Sequence, residues 1–201
     1  MNYLAHLLLS ADTPQSRVGN LLGDFIKPHQ AQHLPDALRA GMALHHAIDR
    51  YTDSHPIVHQ SKARVAAERR RFAGILVDIF YDHYLARHWA QFHPLPLEAF
   101  TARCYRELHQ QHQWLPPRLQ TILPIMEREN WLLRYRDIDG IAEVLRAFSQ
   151  HRLSRPNPIG EGIRDLRERH AEFEQDFLAF FPQLAAHMAG AIRLAAATPP
   201  G

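Results

Sequence analysis

The sequence contains a single cysteine, Cys104, among 201 residues. One thiol cannot form an intrachain disulfide, and it also excludes a structural zinc site built from several thiolates. Lysine is nearly as scarce, because Lys27 and Lys62 are the only two, so arginine supplies almost all of the positive charge. Arginine suits bidentate binding of phosphate or carboxylate groups, although such a bias can also simply reflect genome composition.

Long apolar runs and targeting signals are missing as well. No segment reads as a transmembrane helix, and the N-terminus lacks the basic start and apolar stretch of a secretory signal. The formal net charge is only +2, and no nucleic-acid-binding motif is present. We therefore expect a cytoplasmic protein that binds neither membrane nor nucleic acid.

Strand signals are nearly absent, and helical periodicity dominates the chain. With a hydrophobic fraction of 46%, the pattern predicts an all-α fold with one compact multi-helix domain over residues 1–194 and a flexible tail over 195–201. The last helix should be kinked or split at Pro182. The predicted helices cover 15–26, 36–53, 57–92 with a break near 71–74, 97–113, 118–131, 138–152 and 162–195.

One predicted helix, over residues 74–89, is apolar on almost every side and yet contains Asp78, Asp82 and His83. A helix of that kind is usually buried. The two aspartates are four residues apart and so share a face. Burying carboxylates is costly without a cationic partner, which here could be either a divalent metal or an arginine.

A second pair of this type is His45 and Asp49, again four residues apart in the segment 42–53. At this spacing the two side chains can ligate one metal, or the aspartate can orient the histidine. His6 and Asp24 each stand alone among apolar residues; a lone buried histidine is often a satisfied core residue, whereas Asp24 needs a partner. Such nitrogen and oxygen donors without sulfur suit manganese, iron, magnesium or zinc.

Several segments together resemble the acyl carrier protein phosphodiesterase family, also called holo-acyl-carrier-protein hydrolase. The resemblance runs in order from Met1 to about Met188. It rests on the segments MNYLAHLLLS, GNLLGDFIK, HHAIDRYTD, DIFYDHYLARHW and WLLRYRDID.

The resemblance implies a helical, HD-domain-like metal phosphohydrolase that prefers manganese. Its reaction would be hydrolysis of the phosphodiester between a carrier-protein serine and 4′-phosphopantetheine, with acyl carrier protein as the protein substrate. The family's motif positions fall on His6, Asp24, His45, Asp49, Asp78, Asp82, His83 and His88. The paired His-Asp of the wider HD pattern is absent here: the chain has His45-His46 and Asp82-His83 instead.

From these observations we assign working roles. The predicted metal ligands are His6, Asp24, His45, Asp78 and Asp82. The predicted catalytic residues are Asp49, His83, Arg50 and Arg134. The two arginines would stabilise the negative charge of the phosphate, unless they form ordinary salt bridges. An acidic carrier protein would dock on a basic patch, for which the candidates are Arg64, Arg69, Arg70 and Arg71.

Two other functions are compatible with the same residues. An HD-like phosphohydrolase acting on a nucleotide or other small phosphodiester would need the same metal centre. A non-catalytic helical module could instead bind carrier proteins through its arginines and use the buried carboxylates only as salt-bridge partners. The sequence does not distinguish the metals from one another, and it leaves the oligomeric state open.

Overall fold

The computed structural model describes residues 1–151 and 155–197, and it is all-α over these residues, with no strands. The α-helices are α1 (Tyr3–Leu8), α2 (Pro14–Leu22), α3 (Asp36–Ser54), α4 (Pro56–Arg64), α5 (Ala73–Arg87), α6 (Leu97–Gln110), α7 (Pro117–Arg128), α8 (Trp131–Arg134), α9 (Ile138–His151), α10 (Ile163–Glu168) and α11 (His170–Ala197). Short 3₁₀ turns occupy Pro28–Gln30, Ala67–Phe72, Trp89–Gln91, His112–Trp114 and Ile159–Gly162. The predicted fold class is confirmed.

Helix α5 runs through the core and contacts α1, α4, α9 and α11. Its buried residues lie on all sides of the helix, as its sequence predicts for a helix without a solvent face. The aromatic residues of α11 pack against it: Phe80 lies 5.1 Å from Phe173, and Tyr81 lies 5.7 Å from Phe177, between ring centroids. Helix α11 thus holds α5 in the core, and α1 packs against α5.

Helices α2 and α3 cross very closely at a pair of glycines. A Cβ atom added to Gly19 would overlap the Leu38 carbonyl oxygen, and one added to Gly41 would overlap the backbone of α2. Only glycine permits such an approach of two helix backbones. The crossing holds Asn20 and His45 at a fixed separation, because each lies a short distance along its helix from the contact.

Several boundaries differ from the predicted ones: the 57–92 segment forms α4 and α5 with a 3₁₀ turn between them, and the predicted 97–113 and 118–131 helices end at Gln110 and Arg128. Helix α2 ends at Leu22 rather than at residue 26, so Asp24 lies in an exposed turn instead of an apolar helix. The long C-terminal helix is split at Arg169, and α11 continues through Pro182. Residues 195–197 of the predicted tail are helical, whereas 198–201 lie outside the described residues, as does residue 152 of the predicted 138–152 helix.

Helix α11 is long and apolar enough, by length and composition, to cross a membrane over His170–Ala195. The same test is passed by core helices of globular domains, and four phenylalanines of α11 are fully buried in this core. They are Phe173, Phe177, Phe180 and Phe181.

Candidate metal centre

Three side chains from two helices meet beside the N-terminus of the chain. One ligand atom from each of His6, His45 and Asp49 lies within 4.8 Å of the others. The Nε2 atom of His6 is 3.3 Å from Asp49 Oδ1, and the Nε2 atom of His45 is 3.1 Å from Asp49 Oδ2. The two imidazole rings are stacked with their centroids 4.0 Å apart. We call these three residues the His-His-Asp group.

The charge of this group is concentrated on Asp49. Burial disfavours its carboxylate, but His45, His6 and the Met1 amine outweigh that effect and hold the pKa of Asp49 far below its ordinary value. Burial lowers the pKa of His6. The Met1 amine lies 3.5 Å from Asp49 Oδ1 and 3.0 Å from Asp78 Oδ1. Asp49 is therefore an anion that faces one amine and two largely desolvated imidazoles.

One observation indicates that the His-His-Asp group is suited to a divalent cation. His6 Nε2 is fully buried and has no hydrogen-bond partner among the described residues, although a carboxylate oxygen lies 3.3 Å away. A buried polar nitrogen without a partner is costly. Two imidazole nitrogens and a carboxylate oxygen are ligands shared by manganese, iron and zinc sites. The His-His-Asp group therefore has the composition of a metal site, and the Asp49 carboxylate is the polar group nearest to the buried His6 nitrogen.

An open cavity of about 650 Å³ reaches this group from the surface. Its size lies in the usual range for small-molecule sites. Asp49 belongs both to the cavity wall and to the His-His-Asp group, with 37% of its side chain exposed. The cavity is lined by Pro28, His46, Asp49, Arg50, Asp53 and Ser54.

The position of the His45 ring depends on Gly23. A Cβ atom at Gly23 would overlap the Cβ, Cγ and Cδ2 atoms of His45. The turn that follows α2 therefore passes directly over the imidazole, and a side chain there would displace it. This close approach explains why a glycine precedes Asp24 at the end of α2.

Two of the other predicted ligands have different surroundings. Asp78 lies beside the His-His-Asp group, because the Met1 amine contacts both Asp78 and Asp49. Burial raises the pKa of Asp78, and the amine opposes this rise. Asp82 is fully buried, and its two oxygens accept hydrogen bonds from the backbone amides of Leu4 at 2.7 Å and Ala5 at 3.2 Å. Burial raises the pKa of Asp82 to about 7, and the two amides oppose this rise. Its contacts tie the first turn of α1 to α5.

The remaining predicted ligand and the predicted catalytic histidine lie outside the His-His-Asp group. Asp24 is exposed in the turn after α2. His83 points to the other side of α5, where its Nδ1 lies 2.7 Å from the Tyr135 carbonyl oxygen and its Nε2 lies 3.4 Å from His170 Nε2. Burial lowers the pKa of His83 to about 4.

The predicted arginines divide into free and paired side chains. Arg50 is exposed on the cavity wall and forms no ion pair within the part of the chain that the structure describes. Arg134 is paired with Glu129 and Glu143. Among the described residues, Arg50 is thus the predicted arginine that reaches the cavity.

The predicted docking patch is also divided. Arg64 donates to Asp176, and the buried Arg69 donates to Asp165, so both are structural ion pairs. Arg70 is exposed and donates to the Val65 carbonyl. Arg71 is exposed and lies over the ring of Phe72.

Sequence reasoning gave no role to His46, which lines the cavity. Its Nε2 atom is buried without a hydrogen-bond partner among the described residues, and burial lowers its pKa. The available signal was its place directly after His45, at about 100° around the helix. That offset turns His46 away from His6 and towards the cavity.

Comparison with known proteins identifies the family of this chain. A family profile described as acyl carrier protein phosphodiesterase matches residues 1–184. A Salmonella dublin protein named acyl carrier protein phosphodiesterase is 36% identical over 190 residues, which cover 94% of this chain and 98% of the relative. A Salmonella agona protein of the same name is 35% identical with the same coverage. No solved structure matches. This chain belongs to the acyl carrier protein phosphodiesterase family.

Proposed function

We propose that this protein is a metal-dependent phosphodiesterase that acts on holo-acyl carrier protein. It cleaves the phosphodiester that links 4′-phosphopantetheine to the carrier serine, and it releases apo-acyl carrier protein and 4′-phosphopantetheine. The name shared by the family and its relatives supports this substrate over a nucleotide, and it supports a hydrolase over a non-catalytic binding module. The single cysteine fits a cytoplasmic location.

One observation carries the proposal: Asp49 belongs both to the buried His-His-Asp group and to the wall of an open cavity. A structural metal site would be closed, whereas a catalytic site keeps a position that solvent and substrate can reach. The 37% exposure of the Asp49 side chain provides that access.

His6, His45 and Asp49 would hold the metal, for which manganese is our first candidate and magnesium, iron or zinc are alternatives. A divalent cation bound there supplies Lewis-acid stabilisation of the phosphate oxygens. His6 and His45 are buried, so water competes little for their ring nitrogens. HD-like architecture is part of the same proposal.

Two other residues of the chain act on the substrate. Arg50, which forms no ion pair with any residue that the structure describes, offers its guanidinium to the phosphate from the cavity wall, where bidentate hydrogen bonds to phosphate are strong. His46 lines the cavity, and burial lowers its pKa, which favours the neutral imidazole that a proton acceptor needs. The exposed Arg70 and Arg71 remain available for docking an acidic carrier protein.

The experiment that tests this function is intact-mass spectrometry of holo-acyl carrier protein after incubation with the enzyme. Reactions contain added Mn²⁺, or a chelator, or the variant Asp49→Asn with Mn²⁺. We expect loss of the phosphopantetheine mass only with the unaltered enzyme and Mn²⁺. A bis-aryl phosphodiester and a cyclic nucleotide serve as parallel small substrates.

Each outcome addresses one part of the proposal. Cleavage that persists in chelator would refute the metal requirement. If folded, Mn²⁺-loaded enzyme leaves holo-carrier protein intact but hydrolyses the cyclic nucleotide, the substrate is a nucleotide and not the carrier protein. Lack of turnover of every substrate, with no Mn²⁺ bound, would favour the non-catalytic module.

A further inference from the structure

We infer that Asn20, anchored by Ser10, is a positioning residue that holds His6 in the tautomer with its proton on Nδ1, so that the Nε2 lone pair faces the metal site. This inference rests on the proposed function, because it assigns a role to Asn20 in the same centre.

The hydrogen bonds determine the tautomer stepwise. Ser10 Oγ donates its only proton to the His6 carbonyl at 2.8 Å. The same oxygen can therefore only accept from Asn20, whose side-chain nitrogen lies 3.0 Å away. This contact fixes the Asn20 amide with its oxygen towards His6, 2.9 Å from Nδ1. A carbonyl oxygen accepts, so His6 Nδ1 carries the proton.

Hydrogen bonds join His6, Asn20 and Ser10 into a closed ring, and the chain on either side of this ring is held in place. Asn20 and His6 are both fully buried, so water cannot replace either partner. Asn20 directly follows Gly19, where α2 is pinned against α3. Ser10 follows the end of α1 and bonds back to its last turn. The amide is thus held in place by the contact between α1 and α2.

Without Asn20 the other tautomer would be favoured. Asp49 Oδ1 lies 3.3 Å from His6 Nε2, and a proton on Nε2 would bond to this carboxylate. Charge-assisted hydrogen bonds of this type are strong. They would also consume the lone pair that a metal needs. The ring nitrogen of a ligand histidine that faces away from the metal commonly donates to a partner that fixes the tautomer, and here an amide takes that place.

The test measures the tautomer in metal-free protein at pH 8, above the ordinary pKa of histidine, and the affinity by titrating the same protein with Mn²⁺. Nitrogen-15 NMR of histidine-labelled protein reports which ring nitrogen of His6 carries the proton. Titration calorimetry reports the Kd for Mn²⁺. The variants are Asn20→Leu, Asn20→Asp and Ser10→Ala, and Gln15→Leu on the same helix α2 is the matched control.

We expect the unaltered protein and Gln15→Leu to show the Nδ1–H tautomer and equal Kd values. Asn20→Leu should show the Nε2–H tautomer and a Kd for Mn²⁺ raised about 10- to 100-fold. Asn20→Asp keeps an acceptor for Nδ1 and should restore both readouts to within a few-fold. Ser10→Ala should raise the Kd by a smaller factor, because it only loosens the amide.

An unchanged tautomer or an unchanged Kd in Asn20→Leu would overturn the inference while the proposed function stands. If Asn20→Leu does not fold, the same decision rests on Ser10→Ala: an unaltered Kd there would overturn it. Unaltered protein that binds no Mn²⁺ would instead refute the metal centre, and with it both proposals.

Discussion

The Nε2 atom of His6 lies 3.3 Å from Oδ1 of Asp49, although His6 belongs to α1 and Asp49 to α3. The two helices are brought together by separate contacts: Asp82 binds the first turn of α1 to α5, and the glycine crossing binds α3 to α2. Asp49 thereby becomes the residue on which both histidines converge.

The first prediction concerns Asp49→Asn, which removes the anion of the His-His-Asp group but keeps its shape. We expect the Kd for Mn²⁺ to rise about 100-fold and hydrolysis of holo-acyl carrier protein to be lost. Thermal stability should also fall, because the Met1 amine and the two histidines lose their anionic partner. The matched control is Asp36→Asn in the first turn of the same helix, where the carboxylate is almost fully exposed. Equal Mn²⁺ affinity in both variants would exclude Asp49 as a ligand.

The second prediction concerns Gly23→Ala. The added methyl group would overlap the His45 ring, which must then rotate away from Asp49. We expect a protein that folds but binds Mn²⁺ about 10-fold more weakly, which is the size of effect seen when a residue that orients a ligand is lost. Gly190→Ala on α11 is the control, because nothing lies within 4 Å of its new Cβ atom. Calorimetry of both variants decides the matter, and an unaltered Kd in Gly23→Ala would show that His45 is not a ligand.

Helical spacing predicted the contacts within one helix but not those between helices. His45 and Asp49, four residues apart, do face each other at 3.1 Å. Asp78 and Asp82 have the same spacing, but Asp82 binds backbone amides 77 and 78 positions away in sequence. Periodicity gives the direction of a side chain around its own helix. It cannot state which helix packs against that face.

The exposed position of Asp24 has a similar cause. Its apolar neighbours Leu21 and Leu22 suggest a continuous buried helix, and both are indeed buried. Gly23 follows, and α2 ends before it so that the chain can pass over the His45 ring. This close approach depends on the position of α3, which cannot be inferred from the sequence of α2 alone.

The third prediction concerns the phosphate contact of Arg50. Removal of a charge-assisted hydrogen bond costs about 1.5–3 kcal/mol, so Arg50→Met should lower kcat/KM for holo-acyl carrier protein about 10- to 100-fold. Arg50→Lys should recover only part, because lysine offers no planar fork. Arg39→Met, on the same helix and exposed, controls for loss of surface charge. A fall of the same size in Arg39→Met would mean that Arg50 contributes only to long-range steering.

The fourth prediction separates structural arginines from docking ones. Arg69 donates to the buried carboxylate of Asp165 at 2.7 and 3.1 Å. Arg69→Met leaves that carboxylate without its cation and should lower the free energy of unfolding by about 3–5 kcal/mol. Arg71→Met should change stability little, since Arg71 is exposed, but it should raise KM more at low salt than at high salt. Urea denaturation and salt-dependent kinetics measure the two effects, and an unchanged salt dependence would remove Arg71 from the docking surface.

The last prediction concerns the acid sensitivity that His83 gives to the fold. Burial lowers the pKa of His83 to about 4, compared with 6.5 for an ordinary histidine. Between these two pH values the His83 side chain binds a proton in the unfolded chain but not in the folded protein. The free energy of unfolding therefore falls as the pH drops from about 6.5 to about 4, at most by about 1.4 kcal/mol per pH unit and roughly 3 kcal/mol in total.

Asp82 acts in the opposite direction over much of the same range, because burial raises its pKa to about 7 and the folded protein then binds the extra proton. The profile of the unaltered protein alone would hide the effect of His83. The difference between the unaltered protein and His83→Gln isolates it, and this difference should shrink as the pH falls from 7 to 4.5 in urea denaturation. His109→Gln, which alters an exposed histidine, should give a difference that changes much less with pH. Parallel profiles for the unaltered protein and His83→Gln would mean that His83 becomes protonated as easily in the folded protein as in the unfolded chain.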